Sequence, residues 1–271
     1  MTSIQKIIKY FSLAFAVFLI VSITYGVMML LYFLATPLGL VKSENSQELR
    51  EVLCDTENIK DIKIELNKSN LEIKTGSSFK VETSGNNITC KVSNKGIVLK
   101  EKNSLTNKLP QTLIIYLPDN VNYEDVNIET DAGNLNIDNI IATKLDLELG
   151  AGQNIIKNIN VYEASIETGA GELRIDNGNI NNFELDMGAG KIDITSRLTG
   201  ISKIETGAGY LKLNLVGDEA DYKLKVETGI GKTTVAGKTI KSNEVISNGS
   251  SLVLVESGIG KVDINYLNDN R

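Results

Sequence analysis

Two residue types are missing from the chain, and two others are scarce. Its 271 residues include no histidine and no tryptophan, only three prolines and two cysteines. Without histidine there is no imidazole base for a catalytic triad, no histidine metal ligand and no histidine pH switch. Two cysteines are too few for a disulfide-rich scaffold. The net charge of −6 argues against a nucleic-acid partner, which would need a basic face.

The two cysteines are more simply interpreted as free thiols than as a bridge, although their pairing stays open at this stage. Cys90 lies in NITCKV and alternates with Ile88 and Val92. That alternation is typical of a small apolar side chain on the buried face of a strand.

A long uncharged run lies near the amino terminus. No side chain between Tyr10 and Val41 carries a charge, and a bilayer core needs only about 20 apolar residues. A cleaved signal peptide would have a shorter apolar region and a small-residue exit site, which Ala35 and its neighbours provide poorly. We therefore expect a permanent transmembrane helix over 10–36, between a tail at 1–9 and a linker at 37–56.

The charges that flank this run suggest an orientation. Lys6 and Lys9 precede it, whereas Lys42 and Arg50 follow. The positive-inside rule then favours an internal amino terminus. We expect a single-pass protein of the cell membrane with an extracytoplasmic carboxyl-terminal domain.

A twelve-residue pattern recurs seven times in the second half of the chain. Successive copies begin 19 residues apart four times, and then 22 and 29 residues apart. A fixed period of this length predicts a solenoid. We number the copies rungs 1 to 7. They read VNIETDAGNLNI from Val126, LDLELGAGQNII from Leu145, ASIETGAGELRI from Ala164, FELDMGAGKIDI from Phe183, SKIETGAGYLKL from Ser202, LKVETGIGKTTV from Leu224 and VLVESGIGKVDI from Val253.

The columns of this repeat indicate two strands and a bend. The third and twelfth positions are always apolar, and residues around them alternate with period two, as in strands with one buried face. Position eight is always glycine, and position six is glycine except at Asp131, so we expect position six to need a positive φ. The predicted corner glycines are Gly133, Gly150, Gly152, Gly169, Gly171, Gly188, Gly190, Gly207, Gly209, Gly229, Gly231, Gly258 and Gly260.

The predicted fold is all-β: a single-stranded parallel β-solenoid with 19-residue rungs, preceded by the transmembrane helix. Each rung is expected to stack on the previous one about 4.8 Å away. Regular rungs occupy 119–271, an irregular opening section at 57–118 covers one end, and Ala236–Ser251 with the polar tail covers the other. A P-loop at Gly231-Lys232-Thr233 is rejected because Val226 stands where its first glycine should be.

The segment Gln111–Ile140, in which a strand ending at Leu117-Pro118 leads into the glycine-containing units, resembles a bacterial adhesin-type domain family. The resemblance covers residues 59–271. It implies an envelope-associated β-solenoid of unknown function, and it offers no catalytic residues that could be carried over to this chain. We expect a non-catalytic binding or structural module without a cofactor. The alternative is an envelope-stress sensor or regulator acting through a membrane partner. A polysaccharide-active enzyme is disfavoured because rungs 1 to 4 lack the loops that would build a cleft.

An acidic column is the most suggestive feature outside the core. It lies between two inward positions and should face solvent. We favour the interpretation that the column is a solvated row of charges without a ligand. The alternative is a strip that binds cations or a basic ligand. Lys191, Lys232 and Lys261 are expected to offset part of its negative charge. The candidate partners are the membrane, a cell-wall polymer, a cationic peptide or another membrane protein, and no metal site is predicted. The column comprises Glu129, Glu148, Glu167, Asp186, Glu205, Glu227 and Glu256.

Overall fold

Strands make up nearly all the regular structure that the computed structural model describes, which covers residues 49–52, 54, 59–93, 95–102 and 110–268. The exception there is one 3-10 turn, Glu219–Asp221. The strands are β1 (Arg50–Glu51), β2 (Asp61–Leu66), β3 (Asn70–Gly76), β4 (Lys80–Thr83), β5 (Ile88–Val92), β6 (Gly96–Glu101), β7 (Thr112–Pro118), β8 (Tyr123–Ala132), β9 (Leu135–Ile137), β10 (Ile140–Ile156), β11 (Ile159–Ile175), β12 (Gly178–Val216), β13 (Tyr222–Val235), β14 (Lys238–Thr239), β15 (Glu244–Ile246) and β16 (Ser251–Leu267).

The predicted fold class needs a correction at its amino-terminal end. Within the described ranges, no helix has the length and apolar character needed to cross a membrane. The helix predicted at 10–36 lies outside those ranges, as do the tail at 1–9 and most of the linker at 37–56. The fold that the structure describes is therefore all-β, without the helix of our prediction.

From β8 to β12, the stack is built from parallel strands in which each residue pairs with the residue 19 positions further along the chain. Leu147 of β10 stands beside Ile166 of β11, which stands beside Leu185 of β12. These inward side chains are buried and belong to one continuous apolar core. No single rung could bury such a face alone, so stacking is what makes each rung stable.

Sequential stacking, which we predicted, is wrong at the carboxyl-terminal end. Strand β12 holds rungs 4 and 5, and β16, which holds rung 7, pairs with both β12 and β13. Val255 of rung 7 stands between Ile204 of rung 5 and Val226 of rung 6. The five-residue connection 217–221 can span roughly 16 Å, more than the ~10 Å needed to skip one level. Rung 7 then fills the vacant level.

The stretch between rungs 6 and 7 covers the outer edge of rung 6, as expected of Ala236–Ser251. Strands β14 and β15 pair with β13 in antiparallel fashion. Uncovered parallel edges would invite association with other chains. This stretch is therefore both the return connection and the cap.

The opening section contains one regular rung that we did not predict. Ile64 of β2 stands beside Ile128, and Leu71 of β3 stands beside Leu135. The segment IKIELNKSNLEI (Ile62–Ile73), here called the opening rung, therefore stacks directly on rung 1. Strands β6 and β7 form the next level outward, and the antiparallel strands β4 and β5 cover that level.

The corner glycines answer to two different constraints, and the prediction for position six is wrong. At position eight, Gly171 has φ of +133°, and a Cβ there would lie 2.0 Å from the carbonyl oxygen of Gly152. At position six, Gly169 is not among the residues with positive φ; a Cβ there would lie 2.7 Å from the oxygen of Gly150. Position six thus needs glycine for close approach alone. Position eight also needs the backbone freedom of glycine, since every glycine there except Gly152 has a positive φ.

The interpretation of the cysteines as free thiols is wrong, because Cys54 and Cys90 form a disulfide with Cα atoms 5.9 Å apart. The alternation in NITCKV was misleading. Ile88 is buried, but Val92 is 46% exposed and Cys90 is only partly buried against the core. Strand β5 is a short antiparallel cap strand that leaves the core after Ile88, so Cys90 does not pack fully into the core and instead bonds to Cys54.

Candidate functional site

The predicted acidic column is continuous through the stack. Glu148 stands beside Glu129 on one side and Glu167 on the other, and Glu256 stands between Glu205 and Glu227. The opening rung adds Glu65, which pairs with Glu129 and was missed from the sequence. The spatial order is Glu65, Glu129, Glu148, Glu167, Asp186, Glu205, Glu256 and Glu227.

All of these carboxylates except Glu65 line a groove that follows the stack. It consists of two hollows of about 540 Å³ and 550 Å³, which meet at Asp186. The glycines at position six line it beside the carboxylates, for example Gly169 in one hollow and Gly229 in the other. Ser242 and Asn243 line the far end of the second hollow. We call this surface, with the eight carboxylates, the acidic groove.

Lysines compensate the two ends of the acidic groove. At one end, hydrogen bonds from Lys100 and Lys63 lower the pKa of Glu65. At the other end, Lys225 Nζ lies 2.6 Å from Glu227 Oε1, and Lys203 pairs with Glu205. In the pairs Lys203–Glu205 and Lys225–Glu227, the lysine is at position two of its rung. Position two lies on the same face of the strand as the acidic position four.

The middle of the groove has no such compensation. Within the described ranges, Glu148, Glu167 and Asp186 have no ion-pair partner. Glu129 and Glu256 form no ion pair there either, but each lies near a lysine that pairs with a neighbouring carboxylate of the column. The corresponding position-two residues of these rungs are Asp146, Ser165 and Glu184, none of them cationic. The expected offset by position-nine lysines does not occur there. Lys191 pairs with Glu172, and Lys261 pairs with Asp263.

On the neighbouring face, formed by the strands that follow the corner, carboxylates do have lysine partners. Lys157 Nζ lies 2.6 Å from Asp138 Oδ1, and Lys191 Nζ lies 2.7 Å from Glu172 Oε1. Lys212 Nζ lies 3.4 Å from Asp193 Oδ2. Each of these pairs joins residues one rung apart, so acidic and basic side chains alternate along that face. The acidic groove is unlike this neighbouring surface.

The spacing of the carboxylates determines what the groove can do chemically. Neighbouring carboxylates in water repel by about 0.9 kcal/mol at the ~4.8 Å rung spacing. Side chains in a straight row do not converge on one point, and no cluster of three or more acidic or cysteine ligands suited to a metal ion occurs in the described ranges. The row instead suits several cationic groups spread along a line.

The family can be assigned from the sequence as well as the fold. The Toastrack DUF4097 family profile matches residues 52–251. The chain belongs to this family. The match confirms the resemblance predicted from Gln111–Ile140. No curated protein matches the Toastrack chain.

Several solved structures are similar to this Toastrack chain. A candidate cell adhesion protein from Clostridium sporogenes is 16% identical, over 81% of this chain and 99% of that one, with a TM-score of 0.37. A candidate adhesin from Bacteroides fragilis is 11% identical, over 81% and 98%, with a TM-score of 0.38. A candidate lipid binding protein from Parabacteroides distasonis is 11% identical, over 81% and 96%, with a TM-score of 0.26.

Proposed function

We propose that this Toastrack protein is a non-catalytic binding module whose acidic groove holds a cationic ligand. One observation carries the proposal. Glu148, Glu167 and Asp186 stand in a row without ion-pair partners among the described residues, whereas Asp138, Glu172 and Asp193 on the neighbouring face are each paired. A merely solvated ladder would explain an acidic surface. It does not explain why the carboxylates of one face are paired with lysines while the central carboxylates of the next face are not.

The ligand that fits the groove best is an extended basic peptide segment. Eight carboxylates at the rung spacing extend over roughly 34 Å, and the central row of Glu148, Glu167 and Asp186 extends over about 10 Å. A peptide in extended conformation rises about 3.3 Å per residue, so a short run of lysines or arginines can match the row. Binding of this kind relieves the repulsion between neighbouring carboxylates.

We infer an extracytoplasmic location for this module. The Cys54–Cys90 disulfide supports it, since disulfides persist in oxidising compartments and are rare in the cytosol. The test is a protease-sensitive tag placed after Arg271. Protease added to intact cells should remove the tag, and a tag that is cleaved only after lysis would contradict the inference.

The binding proposal is tested with dodecalysine as the probe and dodecaglutamate as the reference, using the full chain in calorimetry. The test variant combines Glu148→Gln, Glu167→Gln and Asp186→Asn. The matched control combines Asp138→Asn, Glu172→Gln and Asp193→Asn, which changes the net charge by the same amount on the neighbouring face. We expect dodecalysine alone to bind, and affinity to fall at least about tenfold in the test variant, a difference of ~1.4 kcal/mol.

The control and the salt dependence make the result decisive. The control variant should bind within about threefold of the parent, a difference of under ~0.7 kcal/mol. Binding should also weaken as ionic strength rises from about 0.01 M to 0.15 M, because exposed charges are then screened over shorter distances. If both variants bind dodecalysine equally weakly, the loss of affinity comes from the change in net charge. The acidic groove would then be rejected as the binding site.

A further inference from the structure

A further hollow, separate from the two of the acidic groove, lies at the bend that precedes the strands of rungs 1 to 5. Its volume is about 400 Å³. No charged side chain lines it, in contrast with the acidic groove. We call it the amide hollow, and its polar and aromatic lining is Asn122, Thr143, Asn160, Tyr162, Asn179, Asn181 and Thr199.

The register of the stack places the amide groups in rows. Asn160 of β11 stands directly beside Asn179 of β12. Asn122 lies one repeat before Ile141, which stands beside Asn160. Asn122, Asn160 and Asn179 are exposed, and none of their side chains forms a hydrogen bond among the described residues. Three amides, each with donors and an acceptor, are therefore available to a ligand.

One amide of the hollow is held in place. Asn181 Nδ2 donates a hydrogen bond to Thr199 Oγ1 over 3.0 Å. The contact joins side chains of neighbouring levels, and it leaves the Asn181 carbonyl oxygen as a free acceptor. A fixed acceptor beside the row of free amides orients an incoming ligand at lower entropic cost.

An exposed aromatic side chain adds to the apolar lining of the hollow, which also includes Ile141, Ala142 and Val161. Tyr162 is 61% exposed, and it lies between Val161 and Glu163, which pair with Ala142 and Lys144. Its hydroxyl has no hydrogen-bond partner among the described residues. The electron-rich face of such a ring attracts the positive edges of C–H groups. Tyr162 therefore presents an apolar, weakly negative surface beside the amides.

We infer that the amide hollow binds a neutral glycan. A pyranose ring has an apolar C–H face, which packs on a tyrosine ring, and a rim of hydroxyls that each donate and accept. Side-chain amides are the uncharged groups that match such hydroxyls with both a donor and an acceptor. The rung spacing of about 4.8 Å is comparable with the length of one sugar unit, so neighbouring amides can contact neighbouring sugars. This inference is independent of the acidic groove.

The probes are three neutral hexasaccharides, cellohexaose, maltohexaose and the N-acetylglucosamine hexamer, with hexagalacturonate as an acidic reference. Calorimetry on the full chain should show a Kd of about 1 mM or tighter for at least one neutral probe. Tyr162→Ala should weaken that binding at least tenfold, and Tyr162→Phe should leave it within threefold because the ring remains. Asn160→Ala combined with Asn179→Ala should weaken it at least fivefold.

Two controls separate this site from the rest of the surface. Ile230→Ala removes a side chain that is 70% exposed at a distant corner, and it should not change glycan binding. The triple variant of the acidic groove should also bind the glycan normally, so either site can fail without the other. The inference is overturned if no neutral hexasaccharide binds at about 10 mM. It is also overturned if only hexagalacturonate binds, or if the Tyr162→Ala and Asn160→Ala/Asn179→Ala variants keep parental affinity.

Discussion

The Glu101 carboxylate accepts a hydrogen bond from the backbone N–H of Asn67, with 2.8 Å between Oε2 and N. The same oxygen accepts the N–H groups of Lys68 at 3.1 Å and Ser69 at 3.2 Å. Asn67, Lys68 and Ser69 form the corner of the opening rung, where rungs 2 to 7 have two glycines. In those rungs the corner stacks on backbone of a neighbouring rung. At the opening rung, one side chain takes the place of that backbone.

Removing the charge of Glu101 should make the stability of the protein less dependent on pH. Burial raises the pKa of Glu101, but hydrogen bonds from Lys68, Asn67 and Ser69 outweigh it and leave the pKa below its ordinary value. A carboxyl with a lowered folded-state pKa stabilises the protein above its unfolded pKa of about 4.3, and this contribution is lost as pH falls through the folded pKa. Glu101→Gln should therefore lower the free energy of unfolding by about 1–3 kcal/mol at pH 7.

The measurement is urea unfolding of Glu101→Gln and the parent from pH 7 to pH 3. The difference between them should shrink as pH falls below about 4.3, because the unfolded parent then binds a proton at this carboxyl more readily than the folded parent does. Glu124→Gln, a change at an exposed carboxyl, serves as the control and should match the parent throughout. A difference between Glu101→Gln and the parent that stays constant with pH would contradict a role for the charge.

Two adjacent corner residues should differ in their tolerance of substitution, because position eight needs glycine and position seven is exposed. Gly171→Ala should destabilise the domain by at least about 1–3 kcal/mol, because it forces a side chain into a backbone region open essentially to glycine alone. Ala170→Ile should change stability by less than about 0.5 kcal/mol, since Ala170 is exposed and rungs 6 and 7 carry Ile230 and Ile259 at this position. Thermal unfolding of both variants tests the pair. Equal destabilisation would show that the corner constraint lies elsewhere.

The apolar columns were enough to predict an all-β stack but not its order. Ile204, Val226 and Val255 are chemically interchangeable inward side chains, so any of them can stack on any other. Connections decide the order, and their paths depend on geometry that the repeat pattern does not carry. The opening rung was missed for a related reason. The repeat was aligned on glycines, whereas Asn67 and Ser69 contact the Glu101 side chain, so they need no glycine.

The position of the acidic column was predictable, but its compensation was misjudged. Position nine was expected to supply the cations, yet Lys203 and Lys225 at position two are the ones that pair with the column on the later rungs. Residues i and i+2 of a strand share a face, so the sequence did carry this signal. The sequence signal for the amide hollow was weaker. Its residues lie at the second bend, outside the twelve aligned positions.

Reduction should destabilise the amino-terminal cap. The Cys54–Cys90 bridge closes a loop with a sequence separation of 36 residues, and the chain-entropy model assigns a bridge of that size about 3–4 kcal/mol. Dithiothreitol should therefore lower the unfolding midpoint of the parent. A Cys54→Ser/Cys90→Ser variant should already unfold at that lower midpoint and should not respond to dithiothreitol. An identical midpoint for the parent with and without reductant would deny the bridge a stabilising role.

The order of the last three rungs can be tested with pairs of cysteines at position seven. Ala208 of rung 5 stands beside Ile259 of rung 7, which stands beside Ile230 of rung 6. Neighbouring rungs are about 4.8 Å apart, which permits a disulfide, whereas rungs two levels apart exceed the ~7 Å limit between Cα atoms. Ala208→Cys with Ile259→Cys should therefore cross-link under mild oxidation, and Ala208→Cys with Ile230→Cys should not.

Ile230→Cys with Ile259→Cys is the positive control, because rungs 6 and 7 are neighbours in the interleaved order and in the sequential order alike. Peptide mapping separates these bridges from Cys54–Cys90, and a bridge between positions 208 and 230 would restore sequential stacking and reject the interleaved order.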